Sequence, residues 1–375
     1  MAVAERVLIV GAGIAGLTAA ITLHRLGIGV ELVERNATCQ NTGAGIALQG
    51  NAMRLLRTLG LSDAVAAAGA PIGDWTFADQ DGDVLCRVDL DEAWRRTGPC
   101  IGIARGSLLT LLRDAAGMVP IGRGITVDSL CQSNQYVSVA FSNGTVKNYD
   151  LVVGADGIDS GLRALTFAAT LPVYTGQTTW RSMMQTCPDR PTGLHFLLGD
   201  GCFFGVCPAG QAGAYGFGNV TGPRLHDPQF GRLERLRVRF ADFGNPVRSY
   251  LAALQFDAQI HCTPIDVLED VPWRLNRILL IGDAAHAGSP MLGQGGAMAM
   301  EDAFVLAEAM GAAPSLSAAL ETYVAKRCPR VAWVQGASRS LTRILGLPQA
   351  ERAILLRRQG AEMLIERITP LTDAP

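Results

Sequence analysis

Residues 278–302 read ILLIGDAAHAGSPMLGQGGAMAMED, and the rest of the chain is interpreted outward from them. Ile278, Leu279, Leu280 and Ile281 make a short continuous apolar run, the pattern of a strand buried on both faces. The run ends at Gly282-Asp283, turns around Pro290, and enters a loop, Gly293-Gln294-Gly295-Gly296, that opens an Ala/Met-rich helix. A carboxylate at a strand tip is placed to hold a polyol. The free N–H groups at the helix start put positive potential against any ring that becomes anionic when reduced. The plain alternative is an ordinary strand–turn–helix with a Gly-rich loop, and the remaining motifs decide between the two.

Residues 6–35 supply the first of these: a strand, then Gly11-Ala12-Gly13-Ile14-Ala15-Gly16, an apolar helix, a stop at Gly27, and a second strand ending Glu34-Arg35. The glycines permit a sharp turn, a close approach to a pyrophosphate, and tight helix–strand packing, and Glu34 follows Gly16 by 18 residues, where a carboxylate meets an adenosine ribose. FAD and NAD proteins share this pattern. A further buried strand, Leu151-Val152-Val153, runs into Gly154-Ala155-Asp156-Gly157-Ile158-Asp159-Ser160-Gly161-Leu162-Arg163. Asp-Gly alone signals a turn; its place at the tip of a second acid-ended strand gives it weight.

Between the motifs, Gly43-Ala44-Gly45-Ile46 reads either as a backbone approach to a flat ligand or as a turn before a strand, and a short helix with Asn51, Arg54 and Arg57 stops at Gly60. Residues 74–88 alternate as a hairpin about Asp81-Gly82, and 125–149 form a second antiparallel set turning at Asn143-Gly144. Arg105 stands just ahead of a helix over 107–116, where a cation gains nothing from the helix dipole, which points to a role outside the helix. From 174 to 262 the texture is strands, at 173–186, 194–199, 202–207 and 212–219, then a helix near 228–240. Trp180, His195, Phe196, Phe203, Phe204, Tyr215 and Phe217 are expected to point inward as core or as the wall of an apolar pocket. Helices are expected over 315–341 and 349–368, the second with Ile354, Leu355, Met363, Leu364 and Ile368 inward and Arg352, Arg358, Glu362 and Arg367 outward, as a packing or dimer helix.

Composition narrows the class. With 375 residues, 49% of them hydrophobic, the chain can fill two domains or one interleaved unit, and a net charge of −2 with scattered arginines gives no basic stripe for nucleic acid. The nine cysteines (39, 86, 100, 131, 187, 202, 207, 262 and 328) are odd in number without a C-x-x-C pair, so they are expected to be reduced, in a cytoplasmic protein, with no metal site. The N-terminal apolar run leads straight into glycines and reads as a first strand, not a signal. The longest uncharged run, 201–223, holds seven glycines and Pro208, so it reads as a hairpin, not a membrane span.

Three motifs now stand in order: GAGIAG with Glu34-Arg35, GADGIDSGLR, and GDAAHAGSPMLGQGG followed by ED. Together they resemble the single-component FAD-dependent aromatic hydroxylases, the p-hydroxybenzoate hydroxylase-like monooxygenases, over nearly the whole chain. The resemblance implies an α/β fold in which a Rossmann-like FAD-binding domain of the glutathione-reductase type (1–72, 100–172 and 262–347) interleaves with a β-sheet substrate domain (73–99 and 173–261), with a C-terminal helix over 348–375. It implies FAD as cofactor, NADPH or NADH as co-substrate, O₂ and a small aromatic molecule (phenolic, polycyclic or heteroaromatic, of a secondary-metabolism kind) as partners, and a monomer or homodimer. Oxygen would be transferred from a flavin C4a-hydroperoxide.

Residue by residue, the resemblance implies that Gly11, Gly13, Ala15 and Gly16 line the pyrophosphate, Glu34 holds the ribose, Arg35 lies by the adenine, and Arg105 contacts the cofactor between its halves. Gly45 joins the cofactor-binding set. Asp156, with Ser160 and Arg163, belongs to a motif implicated in FAD and nicotinamide binding. Asp283 would hold the ribityl chain or pyrophosphate, Pro290 would shape the oxygen-reacting face, and the amides of Gly293, Gly295 and Gly296 would meet the pyrimidine edge of the ring. His286 is expected to be a packing residue. Ala297 stands where many members carry Asn, which alters hydrogen bonding at the ring. His195 and Tyr215 are the candidates for a base, and Arg181 for an anchor of a carboxylate or of the nicotinamide cofactor; each also reads as an ordinary structural residue. The urate-hydroxylating branch has an arginine near the position of Phe203, whose absence here argues against a strongly anionic heterocycle. Alternatives on the same fold are an epoxidase, a urate-type heterocycle hydroxylase, an isoprenoid reductase or a halogenase. A plain NAD-dependent dehydrogenase has no use for the Asp156 and Asp283 motifs, and a flavin-binding regulator would be expected to carry an added module.

Overall fold

The computed structural model describes residues 3–38, 44–167 and 170–375; Cys39 and Gly43 lie outside the described residues. The apolar run of the opening stretch forms the strand Ile278–Leu280, paired in parallel with Leu151–Gly154. Leu151–Gly154 pairs in parallel with Arg6–Val10, which pairs in parallel with Gly29–Glu34. Arg274–Leu275 and Ile121–Arg123 complete the two edges of this six-stranded sheet. Alternating residues serve two cores, as a sheet covered on both sides requires. Val7, Ile9, Leu151, Val153 and Leu279 face the helices, while Leu8, Val10, Val152 and Leu280 face a three-stranded antiparallel unit built from residues 127–149. The helix Ile14–Arg25 is buried along most of its length because the helix Gly295–Ala312 lies against it, close enough for Thr22 Oγ1 to donate to Ala303 O at 3.2 Å.

The second sheet has seven strands, in the order Ile260–Val267, Val173–Met184, Ala214–Thr221, Cys202–Pro208, Leu194–Leu198, Asp74–Asp79 and Val84–Asp89. The uncharged run 201–223 is the expected hairpin, with Cys202 opposite Val220. Ile260–Val267 lies wholly in this sheet, so the chain crosses back to the parallel sheet after residue 267, beyond the expected boundary at 261.

The aromatic set expected to point inward splits between the two faces. Phe196, Phe203, Tyr215 and Phe217 pack with Trp75 and Phe77 on one face; Trp180 and Phe204 pack with Phe240 and Tyr250, from the region of the helices Arg232–Arg239 and Val247–Ala253, on the other. Neighbours in a strand such as Phe203 and Phe204 must point oppositely, so they cannot share a wall.

The C-terminal helix, Gln349–Ile368, also departs from expectation. Its buried stripe is Arg352, Leu356, Gly360, Leu364 and Ile368, whereas Ile354 is 56% exposed. Two features rotate the helix. Arg352, only 1% exposed, donates to Leu345 O (2.8 Å) and Leu198 O (3.1 Å), satisfying buried carbonyls at a helix end and a strand end. Gly360 leaves a groove for Cys86, whose Sγ lies 2.6 Å from where a Cβ would stand. Leu364→Ala is therefore expected to lower the thermal unfolding midpoint by an amount equivalent to roughly 2–5 kcal/mol, while Ile354→Ala changes stability by no more than about 0.5 kcal/mol. The reverse order in a thermal melt would restore the rotated face.

Candidate functional site

The carboxyl ends of the parallel strands open on one cleft of ≈ 580 Å³. Gly11, Gly13, Ala15, Glu34, Arg35, Arg105, Asp156, Asp283, Gly295 and Gly296 all line it. At Gly11 (φ +106°) a Cβ would stand 2.4 Å from Ala155 O, and at Gly16 a Cβ would stand 1.9 Å from Gly11 O. These glycines permit backbone to meet backbone. Gly13 and Gly295 differ: a Cβ on either would meet nothing within 4 Å. They start the helices Ile14–Arg25 and Gly295–Ala312, neither of which has a side-chain cap or an acidic residue in its first turn. Two uncapped helix N-termini thus aim free N–H groups into the cleft, an arrangement that favours anionic oxygens.

The strand-tip acids are held differently. Glu34 accepts from Ala12 N–H (2.9 Å) and from the backbone N–H and side-chain amide of Asn36 (2.9 and 2.8 Å), which fixes its carboxylate at the first Gly-rich turn. Asp156 accepts from Ser160 Oγ (2.5 Å) and Leu162 N–H (3.0 Å), capping the short helix behind it. Arg163 of that helix donates to Ala284 O (2.9 Å), stapling the second motif to the opening stretch. Asp283 is exposed within the cleft. Burial lowers the proton affinity of the Arg105 guanidinium, and the Asp283 carboxylate opposes that effect. Arg113 and Arg123 also line the cleft; the sequence held no motif to mark them, because the helix Arg105–Ala116 and the strand Ile121–Arg123 reach the site only through the fold. Pro290 and Gly293 flank a short 3₁₀ turn, with Gly293 at φ +64°, beyond the residues lining the cleft.

Beneath the Gly-rich loop lies a buried ionic network that the sequence signalled only as the terminal Glu-Asp of the motif. Asp302 accepts from Gly282 N–H (2.7 Å), His286 Nε2 (2.7 Å) and Arg327 Nε (2.8 Å). Glu301 accepts from Arg327 Nη1 (2.6 Å), Arg330 Nε (2.7 Å) and Asn51 Nδ2 (3.2 Å). Asn51 also donates to Gln294 Oε1 (2.8 Å), and Gln294 donates to Gln49 Oε1 (2.8 Å). Each end of the 282–295 segment is thereby tied to the same buried charges. Although burial opposes ionisation, His286 and Arg327 hold the Asp302 carboxyl down at about 2. His286 is a buried packing and positioning residue, as expected.

Of the substrate-side candidates, Tyr215 and Arg181 come together and His195 stands apart. Gly45 is bare because the Tyr215 ring lies on it: a Cβ there would sit 2.4 Å from Tyr215 Cγ. Arg181, directly opposite Phe217 of the aromatic wall in the strand pairing, donates to Thr263 Oγ1 (2.7 Å) and is near enough to Arg105 and Tyr215 to influence both electrostatically. His195 sits opposite Thr76 in the pairing, on the face away from Phe196, beside Asp74. Strand alternation removes it from the cleft side.

An extended dinucleotide bearing a reducible ring fits these residues. The unfilled spaces at Gly13 and Gly295 and the uncapped helix starts suit phosphate oxygens and an electron-rich ring edge, and the acids at the strand tips suit ribose and ribityl hydroxyls. Among the described residues no cluster suited to a metal ion is found, and no helix is long and apolar enough to cross a membrane.

Comparison with known proteins agrees with this geometry. The family model described as FAD binding domain matches residues 5–337. The aurachin C monooxygenase/isomerase of Stigmatella aurantiaca is 35% identical over 330 residues, 86% of this chain and 85% of that protein. The 2-heptyl-3-hydroxy-4(1H)-quinolone synthase of Pseudomonas aeruginosa is 30% identical over 312 residues, 82% of this chain and 81% of that protein. The crystal structure of Klebsiella pneumoniae HpxO with FAD and uric acid superposes with a TM-score of 0.90 at 26% identity, covering 98% of this chain and 96% of that one.

The network makes a measurable claim. Asp302→Asn leaves Arg327 with one buried partner fewer and is expected to cost roughly 3–5 kcal/mol of stability. Because the folded carboxyl titrates below its unfolded value of 3.8, its contribution is complete above about pH 4 and is lost as pH falls through about 2. Chemical denaturation at neutral pH and across the acid limb would show the wild type converging on the variant only in that acid window; equal stabilities at pH 7 would remove the network from the loop's support.

Proposed function

Because the chain belongs to the FAD binding domain family and is an FAD-dependent monooxygenase, we propose that it hydroxylates a heteroaromatic or phenolic small molecule, using NADH or NADPH as reductant. The observation that carries this reading is the joining of two unlike surfaces. A cleft of uncapped helix N-termini and strand-tip acids meets an aromatic sheet face, with Tyr215 of the sheet lying on Gly45 beside the cleft. The backbones also touch directly: Gly210 N–H donates to Gly102 O at 3.1 Å.

In this reading the amides at Gly13 and the Gly11–Gly16 turn would bind the pyrophosphate, Glu34 would hold the adenosine ribose, Arg35 would lie by the adenine, and Arg105 would contact the cofactor between its halves. Asp283 would accept from the ribityl hydroxyls, and Asp156, which accepts from Ser160 Oγ and Leu162 N–H, fixes the turn at the neighbouring strand tip. Gly295 and Gly296, which line the cleft, would present amides to the ring's pyrimidine edge, where reduction builds negative charge, and Gly293 and Pro290, on the 3₁₀ turn beside it, would complete that edge and bound the oxygen-reacting face. FAD held there would supply hydride acceptance from a nicotinamide and the activation of O₂ that a hydroxylation needs.

The protein's own contributions follow from the sheet. Phe196, Phe203 and Phe217 keep water from the reacting ring, which limits loss of the activated oxygen as H₂O₂. Burial pushes the Tyr215 phenol well above its ordinary value, so at neutral pH its O–H is a hydrogen-bond donor to a substrate oxygen and not a base. Arg181 supplies positive charge beside it.

Asp283→Ala is expected to purify with far less bound FAD, read from the visible absorbance relative to protein; full occupancy would take Asp283 out of the site. Arg181→Ala is expected to keep its FAD while KM for NAD(P)H or for an aromatic substrate rises, roughly tenfold for the loss of one charged contact worth about 1.4 kcal/mol. An unchanged KM for both would make Arg181 structural. In wild type, substrate-stimulated NAD(P)H consumption that needs O₂ and yields little H₂O₂ is the expected signature, whereas anaerobic turnover would indicate a reductase.

A further inference from the structure

The sheet face turned toward the cleft is divided across its width. One row of paired residues reads His261, Arg181, Phe217, Gly205, Phe196 and Phe77; the next includes Thr263, Thr179, Asn219 and Phe203. The strands Ile260–Val267 and Val173–Met184 therefore present polar groups, and the strands beyond them present rings.

Several of these polar groups lack partners inside the protein. Asn219 is 2% exposed; no hydrogen bond among the described residues involves its side-chain amide, which is not sealed off as the next two groups are. Gln177, at 6% exposure, has an unpartnered Oε1, and Arg181 has an unpartnered Nε although its Nη2 donates to Thr263 Oγ1. Buried polar groups are nearly always hydrogen-bonded, and a cluster of exceptions calls for a ligand or trapped water. The strip from Gln177 to Arg181 covers about 13 Å of strand, comparable to a fused bicyclic ring with a substituent.

We propose that Arg181, Asn219 and Gln177 recognise the heteroatoms of the substrate, a ring carbonyl and the ring N–H across from it, while Phe217, Phe203 and Phe196 take its carbocyclic and alkyl part. This rests on the monooxygenase reading and narrows it to oxo-substituted N-heteroaromatics. Arg181 and the Asn219 N–H₂ group can only donate to an acceptor such as the carbonyl; the Gln177 and Asn219 oxygens can only accept from an N–H. A carbocyclic phenol carries a single heteroatom and would leave at least one of these groups unsatisfied, at a cost in affinity.

The test compares two bicyclic probes, 4(1H)-quinolone and naphthalen-1-ol, by the change each causes in the visible absorbance of the FAD-loaded enzyme. Wild type is expected to bind the quinolone at least about tenfold more tightly, a difference of about 1.4 kcal/mol. Asn219→Leu is expected to lose that preference, to keep its FAD, and to show no fall in thermal midpoint without ligand, because it deletes a group that had no protein partner. An Asn219→Leu variant that melts lower and binds the quinolone as wild type does would assign Asn219 to a structural water and overturn the proposal. Should that variant fail to fold, Arg181→Met carries the test by the same loss of preference with FAD retained, and a preserved preference overturns it. A FAD-loaded wild type that does not distinguish the probes defeats the recognition strip alone; a wild type that cannot be loaded with FAD defeats the monooxygenase reading beneath it.

Discussion

Three strand ends meet where there is no room for a side chain, and the rest of the molecule is arranged around that crowding. Gly11 lies against Ala155 O, Gly16 lies on Gly11 O, and a Cβ at Gly282 would stand 2.9 Å from that of Ala15. Backbone pairing draws them together, with Ala155 N–H donating to Val10 O (2.7 Å) and Ile281 N–H to Gly154 O (2.9 Å). Parallel strands align their carboxyl ends, so the loops that follow must share one edge. The acids of three distant segments and the starts of two helices reach a single cleft as a consequence of register.

A Gly-rich loop is a poor platform by itself, since glycine loses more conformational freedom on ordering than any other residue. The buried charges behind it compensate. Asp302 holds Gly282 N–H at one end of the segment, and Glu301, through Asn51 and Gln294, holds the other. Taking four charged groups out of water is expensive and seldom adds net stability over a well-packed apolar core. The yield here is geometric: the protein's own buried charges hold both ends of the segment that carries the helix start. Arg330 extends the network to the carbonyls of Pro370 and Leu371, so the last turn of the chain braces the same helix.

The two sheets divide the chemistry. The parallel sheet offers backbone amides and acids, which bind by hydrogen bonds that any chain of this motif order supplies. The seven-stranded sheet offers side chains, polar along one edge and aromatic toward the other. Glycines in this sheet are spaces for rings: Gly205 receives Phe217, Gly216 receives Tyr250, and Gly218 receives Phe240. Such packing lets thick aromatic layers sit on both faces of one sheet without splaying its strands.

The nucleotide half of the protein was legible because its determinants are local. Gly11, Gly13, Gly16, Glu34, Asp156 and Asp283 each lie within a few residues of a strand end, and motif spacing carries that information along the chain. The hairpins about Gly82 and Gly144 were equally readable, since a turn is specified by its own residues. What failed was the choice of face. An aromatic residue in a strand is apolar whichever side it faces, so Phe203 and Phe204 look alike in sequence although they serve different cores, and His195 reads as a neighbour of the cleft until pairing with Thr76 turns it away. The C-terminal helix misled for a related reason: Arg352 is buried because two carbonyls from distant segments await it, and Gly360 because Cys86 fills its groove. Arg113, Arg123 and Arg327, the distant partner of Asp302, carry no local signature at all. By itself the sequence determined the cofactor class and the parallel frame, because short-range backbone sterics decide those; only the tertiary structure decided which side chains share a face of the second sheet, because that depends on strand register and on contacts between residues far apart in the chain.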